Sequence, residues 1–204
     1  MDIAALVAFA GIYALAVATP GPGIGAIVAR GLARGRQGVV PFIAGFVVGD
    51  LVWFVLAAFG LAVVAQTFAT AFQILTYAGA AYLLYLAWRI WTSPVQAPGV
   101  DPAPEANDGL QAFLGSFALT MGNPKVAVFF LAIMPLVVDV ATVSWLAFAE
   151  LGAIIVIVIS TVLGLYAALA IRARRLLRSE RAIRIANRGT AGLMAGVAVA
   201  IAAR

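Results

Sequence analysis

Six apolar stretches follow one another along the chain: Ile3 to Ala18, Gly38 to Ala65, Ala69 to Trp88, Leu110 to Val138, Val143 to Ile171 and Asn187 to Ala203. A helix that crosses a hydrocarbon core needs roughly 20 mostly apolar residues. With 65% hydrophobic and only 10% charged residues, little polar sequence remains for a soluble body. Backbone groups in lipid must pair internally, which restricts spans to helices or closed barrels. Runs such as GAIIVIVIS and AGAAYLLYLAW lack the alternating polar positions of a barrel strand. The expected fold is therefore an all-α integral membrane protein of six transmembrane helices, one domain over residues 1–204. Met1-Asp2 offers no basic n-region, so the first stretch is expected to stay in the mature protein rather than leave as a signal peptide.

Orientation follows from the basic residues, which accumulate in cytoplasmic loops. Eleven of the thirteen lie at Arg30, Arg34, Arg36, Arg89, Arg172, Arg174, Arg175, Arg178, Arg181, Arg184 and Arg188, all on one side of a six-span chain. Both termini are thus expected outside, and the acidic linker with Asp101, Glu105 and Asp108 falls on the cytoplasmic side. The run from Arg172 to Arg188 reads as a topogenic loop in contact with membrane lipid, and no nucleic-acid partner is assigned to it. The chain has no cysteine and no histidine. Disulfides, thiolate nucleophiles, imidazole bases and soft-metal sites are excluded, and no cofactor or metal is expected.

Two of the six stretches are interrupted. VATPGPGIGA places Pro20, Gly21, Pro22 and Gly23 in consecutive positions after Thr19, and ALTMGNPKVAVFF places Gly122, Asn123 and Pro124 before Lys125. Proline removes a donor and clashes with the preceding turn, so each interruption leaves carbonyls unpaired at depth. Such breaks persist in a bilayer only where protein or a water-filled cavity supplies partners, and paired breaks in corresponding segments mark a central site. They fall in spans one and four, which implies a 3+3 inverted repeat with halves of roughly 1–92 and 110–204 joined by a linker, 93–109.

A carboxylate follows each break: Asp50 lies 28 residues after Pro22, and Glu150 lies 26 residues after Pro124. Asp50 sits deep in its span, so it must face the bundle, pair with a cation, or carry a proton for part of a cycle. Bonding to backbone amides or to Lys125 would be the purely structural alternative. Glu150 is either a second proton-coupling acid or a residue reaching the outer interface. Lys125, the one lysine in the chain, is placed to bind a substrate carboxylate beside a helix N-terminus, to pair with Asp50, or to cap a carbonyl. Tyr77, Tyr82, Tyr85 and Trp88 read as packing residues, and small neighbours such as Gly79 and Ala80 suit close helix contact, including a homodimer.

TPGPG, GFVVGDLVWFVLAAFGLA, LTYAGAAYLLYLAWRIW and FALTMGNPKVAVFFLAIMPL, in that order, resemble the LysE/RhtB amino-acid exporters over Thr19 to Leu136. The resemblance implies a bacterial inner-membrane exporter of an amino acid or derivative, driven by antiport of protons. Carried over by position, Pro20, Gly21 and Pro22 match the proline-glycine signature, Gly49 and Asp50 the acidic second-helix motif, and Asn123, Pro124 and Lys125 the fourth-helix motif. The pattern departs at Gly23, where many members carry Asn. The expected substrate site is then Thr19, Pro20, Gly21, Pro22, Gly23, Asn123, Pro124 and Lys125, with proton coupling at Asp50 and Glu150.

Three other readings compete. A divalent-metal exporter would use Asp50 and Glu150 as oxygen ligands, which a neighbouring lysine opposes. An intramembrane hydrolase would have to pair Ser116 with Lys125. A channel would pass its substrate downhill without coupling to protons.

Overall fold

The computed structural model describes residues 2–58, 108–134 and 144–176, with isolated residues between 77 and 92 and between 184 and 199. Among the described residues every regular element is helical: α1 (Ile3–Ala18), α2 (Pro22–Arg34), α3 (Val39–Ala58), α4 (Asp108–Met121), α5 (Pro124–Val128) and α6 (Trp145–Leu176). A π-helical turn, Phe129–Ile133, continues α5. α3 and α6 are each long and apolar enough to cross a membrane. The pairs α1–α2 and α4–α5 pass the same test jointly but are bent by 61° and 55°, so the described residues supply two spans, or up to four if each bent pair is one.

The first stretch forms α1 with the bounds read from its composition. After the break the chain is helical again rather than a loop. Pro22 stands at the first position of α2, where its missing N–H costs nothing and its fixed φ favours helix. Arg30 and Arg34 therefore lie on a helix one turn apart. The turn that ends α2 needs left-handed backbone at Gly35 (φ 62°) and Gly38 (φ 64°), which glycine adopts without a Cβ clash. α6 runs five residues past Ile171, so Arg172 and Arg174 also sit on helix and the expected polar linker starts later. Gly79, Ala80 and Tyr82 lie outside the described residues.

At one end of the bundle Asp108 accepts from Arg30 (2.6 Å) and Arg34 (2.5 Å), with Arg30 also over the Phe42 ring. This cluster ties the last turn of α2 to the first turn of α4, and Asp108 complements the dipole of the helix it starts. At 1.5 Å per residue, α2 rises roughly 20 Å from the cluster to the first break and α4 roughly 21 Å to the second. Asp50 stands roughly 17 Å along α3 from Val39 by the same rise. Both breaks and the buried acid thus share one level.

α3 and α4 make the closest helix contact. Gly45 and Gly49 face Ser116 and Thr120, and a Cβ built on Gly45 would overlap Ser116 Oγ and the Phe113 carbonyl. Small residues spaced by four allow backbones to approach this way. Trp53 Nε1 donates to the Thr120 carbonyl (3.3 Å) across the same seam. Gly45→Ala is expected to lower the thermal stability of the detergent-solubilised protein by about 1–3 kcal/mol through overpacking. Gly164→Ala, where nothing lies within 4 Å of the added Cβ, should not lower the unfolding temperature, since alanine favours helix over glycine. Equal melting of the two variants would contradict the tight seam.

Candidate functional site

The final carbonyls of a helix have no partner within it. At the end of α1, Thr19 turns to extended backbone, and both its N–H and its Oγ1 donate to the Leu15 carbonyl (3.0 and 2.7 Å). The last two acceptors before the break, the Thr19 and Ala18 carbonyls, are met from distant sequence. Lys125 Nζ donates to the Thr19 carbonyl at 2.5 Å, and the Tyr166 hydroxyl donates to the Ala18 carbonyl at 3.0 Å. The ammonium caps the Thr19 carbonyl and makes no ion pair with Asp50.

The second break ends differently. Asn123, 5% exposed, is the N-cap of α5. Its side-chain oxygen accepts from the Lys125 N–H (3.1 Å), and its carbonyl accepts from the Val126 and Ala127 N–H groups. A capping amide of this kind satisfies donors that would otherwise be orphaned. The first break has no such group: Gly21 precedes α2, and no side chain caps that helix. The two breaks match in level but not in chemistry.

Asp50, 3% exposed, lies between them. Its Oδ2 accepts from the Tyr13 hydroxyl at 2.5 Å, while Oδ1 is buried without a hydrogen-bond partner. Tyr13 is held by Phe9 (stacked, 5.9 Å between ring centroids), Phe129 (5.2 Å) and Phe130 (6.0 Å), so the π-helical turn after α5 buttresses the donor to the acid. A buried carboxylate oxygen lacking a partner is costly. It therefore marks a place where water, a proton or a ligand group belongs.

A cavity of about 70 Å³ opens at this point, room for a few waters. Of the residues expected from sequence, Thr19, Gly21, Gly23, Asp50, Asn123 and Lys125 line it. Pro20, Pro22 and Pro124 shape the breaks without lining it. Glu150 is not brought to the cavity: it sits six residues into α6, close to that helix's start. Ser116 is not brought to Lys125 either, since its hydroxyl bonds back to the Ala112 and Phe113 carbonyls within α4. Tyr77, Tyr85 and Trp88 are exposed and do not line the cavity.

Sequence reasoning passes over Tyr13, Tyr166 and Phe46. Each is one aromatic among several in an apolar helix, the ordinary pattern of packing. A weak signal exists for the tyrosines, because a buried phenol needs an acceptor, and the unpaired carbonyls and Asp50 are acceptors.

A sequence model described as LysE type translocator matches residues 14–204. The chain belongs to this family. The match runs through the fifth and sixth stretches, beyond the Thr19 to Leu136 segment that carries the recognisable motifs. Membership in a translocator family agrees with the reading of the chain as a transporter rather than an enzyme. Among relatives of this LysE-type chain is an uncharacterized membrane protein of Vibrio cholerae serotype O1, 28% identical over 184 residues, which are 90% of this chain and 89% of that one. The cysteine/O-acetylserine efflux protein of Escherichia coli K12 is 33% identical over 114 residues, 54% of each chain. The chain thus spans about half the length of the efflux protein in that alignment. No solved structure matches significantly.

Removing the donors at the breaks should register as stability. Tyr166→Phe leaves the Ala18 carbonyl unpaired and is expected to cost about 1–3 kcal/mol. Asn123→Ala removes the cap of α5 and is expected to cost about 1 kcal/mol. Thermal unfolding of both variants in detergent measures this, and wild-type stability in both would argue against the assigned bonds.

Proposed function

We propose that the chain is a secondary transporter that exports an amino acid or amino-acid derivative across the bacterial inner membrane in exchange for protons. The observation that carries this reading is the orphaned Asp50 oxygen, buried in a cavity that lies between two bent helix pairs and opposite the chain's one lysine. In this reading each bent pair is one broken span, the halves 1–92 and 110–204 are inverted repeats, and both termini are outside. The ionic cluster of Asp108 with Arg30 and Arg34 supports that orientation, since it gathers these residues at one end, as the cytoplasmic assignment requires.

The substrate carboxylate takes the Lys125 ammonium from the Thr19 carbonyl and meets the uncapped start of α2 near Gly21 and Gly23. Positive partial charge at a helix N-terminus favours an anion there. The substrate ammonium pairs with Asp50 Oδ1. Lys125 and ionised Asp50 already cancel, so a zwitterion enters without adding net charge to a low-dielectric site, where an unmatched charge would be costly. When the substrate leaves outward, a proton takes the place of its ammonium on Asp50, and the carrier returns with Lys125 back on Thr19. Tyr13 holds Oδ2 throughout, so one oxygen alternates between the two cations.

The relatives support the substrate class: one of them is a cysteine/O-acetylserine efflux protein. The metal-exporter alternative needs Asp50 and Glu150 together, and Glu150 is absent from the lining of the Asp50 cavity. In inverted membrane vesicles given a pH gradient, wild-type protein should accumulate labelled amino acid. Asp50→Asn should express and insert normally but lose at least about tenfold of the gradient-driven uptake, a typical scale for loss of a proton-transfer group. Coupled uptake retained in Asp50→Asn would overturn the assignment of the proton site.

A further inference from the structure

We infer that the cavity selects amino acids with small, uncharged side chains, and that Phe46, seated against Gly23, sets the size limit. This inference rests on the amino-acid carrier reading and adds the identity of the side chain that the site accepts.

Charge comes first. Among the described residues, Asp50 and Lys125 are the charged groups that line the cavity. Asp50 has one oxygen to offer, because the other holds Tyr13. A zwitterion uses both charges completely. The second ammonium of a diamino acid would then find no counter-charge, and the second carboxylate of an acidic amino acid would share one lysine. An unmatched charge at this depth is excluded by its desolvation cost. The rest of the wall is mostly apolar, with Phe46, Phe129, Phe130, Ile159 and Leu163 among its members and Tyr13, Thr19 and Asn123 as polar ones, which favours an apolar or weakly polar side chain.

Size comes second. Phe46 lies one helical turn before Asp50 on α3, so both project from the same face into the cavity. Its Cε1 stands 3.1 Å from where a Cβ on Gly23 would sit, tighter than ordinary van der Waals contact. Behind it the Phe42 ring meets it edge-on, with centroids 5.3 Å apart. The ring is therefore clamped between the start of α2 and Phe42, and it occupies space beside the Asp50 carboxylate. Glycine at position 23 is what admits it. A side chain next to the ammonium bound at Asp50 therefore meets the Phe46 ring, which limits it to a short one.

The test uses the full chain in proteoliposomes with an imposed pH gradient. The probes are radiolabelled alanine, serine, cysteine, leucine, phenylalanine, lysine, arginine and glutamate. Wild-type protein should carry the three small neutral amino acids at least roughly a hundredfold better than lysine, arginine or glutamate, the scale expected when a site leaves a charge unpaired. Leucine and phenylalanine should be poor substrates. Phe46→Ala should raise their uptake relative to alanine at least roughly tenfold, Phe46→Leu should do so partially, and both should still reject lysine and glutamate. Gly23→Ala, which crowds the ring, should narrow the range toward the smallest substrates. Wild-type uptake of charged amino acids within tenfold of the small neutral ones overturns the charge argument and leaves amino-acid export standing. An unchanged size ranking in all three variants overturns the role of Phe46. Failure of every amino acid in the wild-type protein overturns the carrier reading, and this inference with it.

Discussion

A helix interrupted inside a membrane must find donors for the carbonyls it exposes, and at the first break of this chain two long-range bonds meet that demand, the first of them the Lys125 ammonium on the Thr19 carbonyl. An unpaired backbone group in hydrocarbon costs several kcal/mol, so the break and its donor are inseparable. The donor lies 106 residues away on the far side of the second break. Satisfying one interruption thus brings the other beside it. Tyr166, 148 residues from Ala18, repeats the arrangement from α6. The cavity exists because these long-range bonds hold two bent helix pairs at the same level without filling the space between them.

The same bond governs the electrostatics. Lys125 is engaged by a neutral carbonyl, which leaves its charge uncompensated at close range, while Asp50 is engaged by a neutral hydroxyl, which leaves an oxygen open. Had the two side chains paired directly, both would have been consumed as structure. Each is instead positioned by a neutral partner and lines the cavity without a direct ion pair. A direct buried ion pair would by itself have gained little stability.

Much of this is legible in sequence, and the limits have physical causes. α1 is readable to its last residue because composition switches abruptly at Thr19-Pro20. Both breaks are readable because proline and glycine act on the local backbone alone. The depth of Asp50 follows from its distance along an uninterrupted helix. Partners are less legible, because they depend on the rotation of each helix about its axis, and a helix that is apolar all round carries no polar stripe to reveal it. Tyr13 and Tyr166 escape notice for that reason. Counting from the prolines matches Glu150 to Asp50, but the spacing conceals a difference: Asp50 is the twelfth residue of α3 and Glu150 the sixth of α6. The unlike capping of the breaks is present in the letters, since Asn before Pro supplies a side-chain acceptor and Gly before Pro does not.

α2 has a mechanical consequence that arises from its two attachments. It is a rod of 13 residues, pinned next to its start where Lys125 holds Thr19, and at its finish where Arg30 and Arg34 grip Asp108. The inner pin is a single hydrogen bond, and the outer one is a pair of partly buried ion pairs shared by one carboxylate. By polar contacts, the tip of α2 nearest the buried acid is thus the less strongly held of its two ends, while packing against α6 fixes the length between them.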